Sequence, residues 1–219
     1  MPRTFDPALW SRFDREASAT AVLPTIGRHS MDSSEWYTPS PFVEAGREVM
    51  GGIDLDPASH EEANRTVKAT RFFSEDDNGL VQRWYGRVFV NPPGGLVPAF
   101  WHKFISGEFV EGVWIGYSLE QLQTLQNIGA ARTPLDFPTC ITSKRIAFVE
   151  NEAKKAIRLA KMLAEGERPG ASEAKRKIAA AIRAGKEPSS GPSHSNYVSY
   201  IGPNKLKFSS VFRQFGQVV

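Results

Sequence analysis

The sequence predicts an α/β domain with a mixed, mostly parallel sheet, and three observations favour this fold class. Short apolar segments alternate along the chain with stretches of helical character, as in parallel strands joined by helices. Two of the apolar segments end in acidic residues or prolines, which is typical of strands that pass into a loop. Hydrophobic residues make up 41% and charged residues 23% of the 219 residues, which suits one globular domain with a substantial core.

The elements follow one another in a regular order. A helix over 41–50 is predicted from its apolar positions, and Gly51-Gly52 end it. Pro57 lies where a strand passes into a helix. The further predicted elements are a strand over 53–56, a helix over 59–69, a strand over 87–91, a strand over 112–117, a helix over 118–128, and strands over 145–149 and 197–201.

The basic residues are concentrated in one segment near the C-terminal end. Residues 150–187 carry ten Lys or Arg against six Glu, whereas the whole chain has a net charge of only +3. We interpret 151–190 as a basic two-helix insertion that is broken at 166–170, because Pro169 and its neighbouring glycines interrupt helical pairing. Residues 1–31 are expected to form an N-terminal arm and 32–219 the domain itself.

Several classes of protein are unfavoured by the composition. The single Cys140 excludes an internal disulfide framework, and the four histidines lack metal-ligand spacing, so we expect no metal site. No apolar run reaches membrane-spanning length, and the first residues do not resemble a signal peptide. We therefore expect a cytoplasmic protein without a membrane partner. The oligomeric state is not predicted.

The sharpest chemical signal is Asn91-Pro92-Pro93 at the end of an apolar strand. Two consecutive prolines fix the backbone and remove its N–H donors, so the turn is rigid. The Asn91 side-chain oxygen and the Pro92 carbonyl are then suited to accept hydrogen bonds from an exocyclic amine. Open α/β sheets bind ligands at this edge, outside the carboxyl ends of their strands.

Three further features precede this turn in order: Trp36-Tyr37-Thr38-Pro39, then 54–58 (DLDPA), then a phenylalanine-rich segment with Asp76-Asp77-Asn78 and Trp84. With them, the chain resembles the phage-type, Dam-like DNA N6-adenine methyltransferases over about 34–95. The resemblance implies a Rossmann-like class I methyltransferase fold and transfer of a methyl group from S-adenosylmethionine to adenine N6 in DNA. It also implies a bacterial or phage-infected host cell, with a prophage or restriction-modification setting.

The resemblance also implies roles for individual residues. Asn91 and Pro92, with Pro93 completing the turn, would hold the target adenine. Asp54 or Asp56 would accept hydrogen bonds from the amino group or the ribose of the cofactor. The full set of implied cofactor residues is Trp36, Tyr37, Thr38, Pro39, Asp54, Asp56, Pro57, Ala58, Phe73, Asp77 and Asn78.

One departure from the family pattern concerns the position after the two prolines. Most family members carry an aromatic residue there that stacks on the flipped base, whereas this chain has Gly94-Gly95. Phe100 or Trp101, a few residues on, or an aromatic residue near the basic insertion, are candidates for supplying the missing contact. Alternatively, the two glycines allow a backbone or a different base to approach closely, or they mark a loss of activity. The first strand also lacks a glycine-rich cofactor loop, since Asp56-Pro57-Ala58 stands in its place.

The basic insertion is the candidate surface for DNA phosphates, because clustered Lys and Arg bind them without reading sequence. An ordinary solvated helix pair explains the same charges. Alternatives for the function are a catalytically silent DNA-binding protein, or a methyltransferase that acts on cytosine N4, RNA or a protein amide. The candidate DNA contacts are Lys154, Lys155, Arg158, Lys175, Arg176, Lys177 and Trp101.

Overall fold

A twisted β-sheet with helices on both faces forms the centre of the protein. The computed structural model describes residues 36–150, 152–186 and 195–219, so the expected N-terminal arm over 1–31 and the end of the insertion over 187–190 lie outside the described residues. The strands of the described part are β1 (Trp36–Tyr37), β2 (Leu55–Asp56), β3 (Arg71–Phe72), β4 (Arg87–Val90), β5 (Glu111–Gly116), β6 (Thr139–Thr142), β7 (Val149–Glu150), β8 (Tyr197–Ile201) and β9 (Gly216–Val218). The α-helices are α1 (Ser40–Met50), α2 (Glu61–Val67), α3 (Val97–Ile105), α4 (Glu120–Asn127), α5 (Glu152–Glu167), α6 (Glu173–Arg183) and α7 (Lys205–Phe212).

The central sheet has the strand order β3-β2-β4-β5-β8-β6-β9. β3, β2, β4 and β5 pair in parallel, whereas β8 pairs antiparallel with both β5 and β6, and β9 pairs antiparallel with β6. Five strands therefore point in one direction and two in the other, which confirms the mixed, mostly parallel sheet predicted from the sequence. A separate two-stranded ribbon joins β1 to β7.

The pleat of the sheet divides the core into two layers. Phe89 of β4 packs with α1, α2 and α7 in one buried cluster. Its neighbours Val88 and Val90 belong to a second cluster with the aromatic residues of α3. α1 approaches the sheet closely at Gly46, where an added Cβ atom would lie 3.2 Å from the Phe89 ring. Strands that are apolar on both faces require helices on both sides, as in a Rossmann-like fold.

The strand order creates a switch point between β2 and β4. The chain leaves β2, crosses through α2 to β3 at the outer edge, and returns to form β4 on the other side of β2. The next crossover, from β4 to β5, uses α3, which packs on the opposite face. The carboxyl ends of β2 and β4 therefore flank a crevice, which is where open α/β sheets bind ligands.

The predicted strand over 145–149 is wrong. Within this range only Val149 is in a strand, and it pairs with β1 rather than with the central sheet. The backbone N–H of Ile146 donates to the Asn196 side chain at 2.7 Å, so no neighbouring strand binds it. The apolar alternation arises because Ile146 and Phe148 fill the core. The strand beside β8 is instead β6, which the sequence analysis did not identify.

The insertion forms the two helices expected from the sequence, α5 and α6, broken near Pro169. They pack closely where Gly166 meets α6, since an added Cβ atom would lie 2.5 Å from both Ala179 Cβ and the Lys175 carbonyl oxygen. α3 and α7 had not been predicted. Within the described residues, no helix combines the length and apolar character needed to cross a bilayer.

Candidate active site

Three parallel strands deliver polar or aromatic side chains to one edge of the sheet. Asp56 is the last residue of β2, Asn91 follows β4, and Tyr117 follows β5. The strands are parallel neighbours in the order β2-β4-β5, so their carboxyl ends meet at this edge. The edge includes the switch-point crevice, and we refer to it as the carboxyl edge.

Asn91 is held by the backbone of β1. Its Nδ2 donates a hydrogen bond to the Trp36 carbonyl oxygen at 2.9 Å. Because a carbonyl oxygen only accepts, the atom that faces it is the amide nitrogen, and the orientation of the amide follows. The Oδ1 atom then points away from Trp36 and accepts no hydrogen bond from the described residues. The contact also shows that two separate sequence motifs form one site.

The turn after Asn91 is tightly shaped. Pro92 is buried, Pro93 is exposed, and a short 3-10 helix over Gly94–Leu96 leads into α3. The Pro93 carbonyl oxygen accepts from the Leu96 N–H at 2.9 Å. The ring of Tyr117 lies against Gly94, where an added Cβ atom would be 3.2 Å from the phenol oxygen.

Asp56 is the buried acid of the site. Its side chain is 3% exposed, and its Oδ1 accepts from the Ala58 N–H at 3.1 Å. Burial disfavours the charged form and raises the pKa of Asp56 to about 7, although the hydrogen bond from Ala58 acts in the opposite direction. A carboxyl group of this kind changes its charge close to neutral pH.

A second loop packs against the end of β2. An added Cβ atom at Gly79 would lie 1.9 Å from the Pro57 carbonyl oxygen, so only glycine allows this approach. The Trp84 indole N–H donates to the Gly79 carbonyl at 2.8 Å and holds the loop in place. The phenylalanine-rich segment therefore lies beside Pro57 and Ala58 at the end of β2.

The segment before α1 contributes a buried hydroxyl. Thr38 is 4% exposed, and its Oγ1 has no hydrogen-bond partner among the residues that the structure describes. Pro39 caps α1, and Tyr37 packs edge-on against His60 with ring centroids 5.0 Å apart. A buried hydroxyl without a partner is costly, so this atom is suited to bind a polar ligand group.

Of the two alternative acids, the structure removes Asp54 from the site. Its carboxylate forms an ion pair with Arg87 at 2.6 Å, and the Arg87 guanidinium holds the pKa of Asp54 below its usual range. Because Leu55 pairs with Val88, Asp54 lies level with the start of β4. It is about 13 Å along the strand from Asn91, at about 3.3 Å per residue. Asp54 therefore braces the amino edge of the sheet.

Asp77, Asn78 and Phe73 have structural partners. Asp77 is exposed and accepts from the Ser74 N–H at 2.8 Å, and this bond lowers the pKa of Asp77. Asn78 adopts φ 52° within the same turn. Phe73 is 4% exposed in the core, and its backbone N–H donates to the Asp56 carbonyl. Asp77 and Asn78 thus shape the loop, while Phe73 joins it to β2.

Neither suggested stacking residue can reach a base. Trp101 is fully buried, and its indole N–H donates to the Arg132 carbonyl at 2.7 Å. Phe100 is 4% exposed in the same aromatic cluster beneath α3. The expectation that Trp101 contacts DNA is therefore wrong, because the aromatic spacing of this segment belongs to the core face of a helix that the sequence analysis missed.

Many cations of the insertion are already paired with acids. Arg158 binds the buried Glu150 at 2.8 Å, which ties α5 to β7 and argues against Arg158 as a DNA contact. The exposed Arg176 has no ion pair among the described residues. The side chain of Lys154 lies outside those that the structure describes. The other candidate contacts pair as Lys155 with Glu152 at 3.6 Å, Lys175 with Glu165 at 3.1 Å and Lys177 with Glu173 at 2.7 Å.

Three residues at the site were missed from the sequence. Tyr117 was treated only as the end of a strand, and Gly79 as part of a loop. Asn196 is fully buried and its Nδ2 donates to the Tyr117 carbonyl at 2.6 Å. The Gly94-Gly95 departure was the available signal for Tyr117, since a missing side chain leaves room for another one.

The comparisons with known proteins agree with this geometry. A family model described as DNA N-6-adenine-methyltransferase (Dam) matches residues 28–162, which is more than half of the chain. Searches of curated proteins and of solved structures each gave no significant match. Among the described residues, no group of three or more His, Cys, Asp or Glu side chains is placed to hold a metal ion.

Proposed function

Because the chain belongs to the DNA N-6-adenine-methyltransferase (Dam) family, and so methylates adenine N6 in DNA, we propose that the Asn91-Pro92-Pro93 turn holds the target adenine. We propose further that S-adenosylmethionine is the methyl donor and binds beside Thr38 and Asp56. The observation that carries the proposal is the hydrogen bond from Asn91 Nδ2 to the Trp36 carbonyl, which leaves Oδ1 as a fixed acceptor.

The role of Asn91 follows from the electronic structure of adenine. The N6 lone pair is delocalised into the ring, which makes the amine a weak nucleophile. Hydrogen bonds from N6 to Asn91 Oδ1 and to the neighbouring Pro92 carbonyl favour the tetrahedral nitrogen that forms during transfer. These acceptors are in place before the reaction, so little free energy is spent on reorganising them. The proline-fixed turn also positions the nitrogen for in-line attack.

The carboxyl edge fits the proposed cofactor. Thr38 Oγ1 is buried, has no hydrogen-bond partner in the described part of the chain, and is suited to the polar methionine end. Asp56, at the end of β2, is suited to accept hydrogen bonds from a ribose or an amino group. S-adenosylmethionine, when bound, supplies a methyl group that its sulfonium activates for displacement. The protein's own residues then need only to orient N6, exclude water from it and stabilise the tetrahedral nitrogen.

The insertion is suited to bring DNA to this turn. β7 pairs with β1, so that Glu150 lies opposite Trp36, whose carbonyl holds Asn91. α5 begins two residues after Glu150 and is tied to it through Arg158. The basic helices are thus connected to the adenine site through a short series of direct contacts. Since a base inside a duplex cannot reach the carboxyl edge, the target is flipped out or presented in a single strand.

The substitution Asn91→Ala separates transfer from cofactor binding. We expect kcat for methyl transfer to fall at least about 100-fold, the loss typical of removing one fixed electrostatic contact. We expect the affinity for S-adenosylmethionine, measured by calorimetry, to change by less than about twofold. Asn127→Ala, at an exposed position at the end of α4, is the matched control and should retain full activity.

Two results would contradict this assignment. If Asn91→Ala transfers methyl groups at the normal rate, the turn is not part of the mechanism. If Asn91→Ala loses cofactor affinity and transfer together, Asn91 acts in cofactor binding rather than on the adenine.

A further inference from the structure

We propose that Tyr117 supplies the aromatic surface on which the target adenine stacks, in place of the aromatic side chain that is absent after Pro93. This inference rests on the proposed adenine site at Asn91. It places the base-binding residue directly after β5, the strand beside the turn, rather than in the turn itself.

The side chain of Tyr117 lies against Gly94. An added Cβ atom at Gly94 would lie 3.2 Å from the Tyr117 phenol oxygen and 3.4 Å from two of its ring carbons. The tyrosine ring therefore occupies the space that a side chain at position 94 would enter. The space beside Gly94 is therefore not empty, because the ring of Tyr117, the residue after β5, fills it.

The pairing of β4 with β5 brings the residues that follow the two strands to one edge. Val90 pairs with Trp114, so the turn after β4 and Tyr117 after β5 both lie at the carboxyl edge. Tyr117 lies beyond the end of β5 and packs against both core layers rather than one face of the sheet. The ring and the Asn91 amide therefore lie at the same edge of the sheet.

The backbone of Tyr117 is held in position, whereas its side chain remains available to a ligand. Its backbone carbonyl is fixed by Asn196 Nδ2 at 2.6 Å. The side chain is only partly buried, against the edges of both core clusters. Within the described part of the chain, its ring stacks on no other aromatic ring and its hydroxyl makes no hydrogen bond. The aromatic residues that follow Gly94, Phe100 and Trp101, are buried.

The test compares Tyr117→Leu with Tyr117→Phe. Leucine retains apolar packing but has no aromatic face, and we expect kcat/KM for DNA methylation to fall between about fivefold and a hundredfold. Phenylalanine retains the face, and we expect activity within about twofold of the unaltered protein. Tyr85→Leu, at an exposed tyrosine before β4, is the matched control and should have no effect. Affinity for S-adenosylmethionine and the melting temperature are measured for each variant.

A rescue experiment distinguishes stacking from a general loss of packing. Gly94→Phe alone places a side chain against Tyr117 and should lower activity. Combined with Tyr117→Ala, which vacates the space, Gly94→Phe should raise activity at least about fivefold above that of Tyr117→Ala alone. A double variant that is no more active than the two single variants would overturn the inference.

The Asn91→Ala variant is assayed in parallel so that the two proposals can fail separately. If Asn91→Ala is inactive while Tyr117→Leu has normal kcat/KM, the adenine site stands and the role of Tyr117 is wrong. If Asn91→Ala is fully active, both proposals are wrong. An inactive Asn91→Ala, an impaired Tyr117→Leu and a rescued double variant support both.

Discussion

Asn91 and Asp56 differ in how far the protein satisfies their polar side chains. One half of the Asn91 amide is bound to the backbone of β1, and this fixes the other half as an acceptor. The charged form of Asp56 is instead unfavourable, because its carboxyl group is buried with few compensating contacts. Buried carboxyl groups with strongly shifted pKa values cluster at functional sites, and Asp56 lies where the cofactor is proposed to bind.

The raised pKa of Asp56 predicts an unusual dependence of stability on pH. The folded protein holds this proton up to pH about 7, whereas an unfolded aspartate releases it near pH 3.8. Between these values the folded state binds more protons, so the stabilising contribution of the protonated group is lost as pH rises towards 7. In thermal unfolding from pH 5 to pH 8, Asp56→Asn should therefore lose less stability than the unaltered protein.

The same titration predicts weaker binding of S-adenosylmethionine at pH 6 than at pH 8, since only the carboxylate accepts hydrogen bonds fully. Asp56→Asn should bind more weakly at both pH values and should lack this difference. The exposed Asp76→Asn is the control and should behave like the unaltered protein. If the melting temperatures of Asp56→Asn and of the unaltered protein change by the same amount between pH 5 and pH 8, Asp56 is not the titrating group.

Among the elements, the short β1–β7 ribbon connects the basic insertion to the proposed adenine site. Glu150 is paired with β1 through the backbone and with Arg158 through its side chain. The ribbon is only two residues long in each strand, so its geometry depends on these contacts. Arg158 is thus better explained as an anchor of α5 than as a phosphate contact, whereas Arg176 is exposed on α6.

Arg158→Ala and Arg176→Ala should consequently differ in what they change. Loss of Arg158 leaves the buried Glu150 carboxylate uncompensated, which typically costs about 3 kcal/mol, so the melting temperature should fall. Loss of Arg176 should leave stability unchanged, weaken DNA binding, and reduce the slope of log affinity against log salt by about 1. Arg83→Ala, in the loop before β4, is the control for surface charge. Equal effects of Arg158→Ala and Arg176→Ala on salt-dependent binding would contradict this division.

At the scale of the whole molecule, the sequence predicted the part of the fold that local patterns determine. The motif-bearing strands and the insertion helices follow from periodicity and from Pro or Gly breaks. The parts that were missed depend on tertiary contacts. α3 follows a Pro-Pro-Gly-Gly segment that resembles a loop, and 145–149 alternates because its apolar residues fill the core. The contact of Tyr117 with Gly94 could not be predicted from the sequence, because it depends on the pairing of β4 with β5.

Nucleoside mass spectrometry identifies the product of the reaction and so tests whether the protein methylates adenine N6 at the Asn91 turn. Unmethylated DNA is incubated with S-adenosylmethionine and either the unaltered protein or Asn91→Ala, and all methylated nucleosides are quantified. We expect N6-methyladenine with the unaltered protein and at least about 100-fold less with Asn91→Ala. N4-methylcytosine as the product, or no methylated base despite measured cofactor binding, would contradict it.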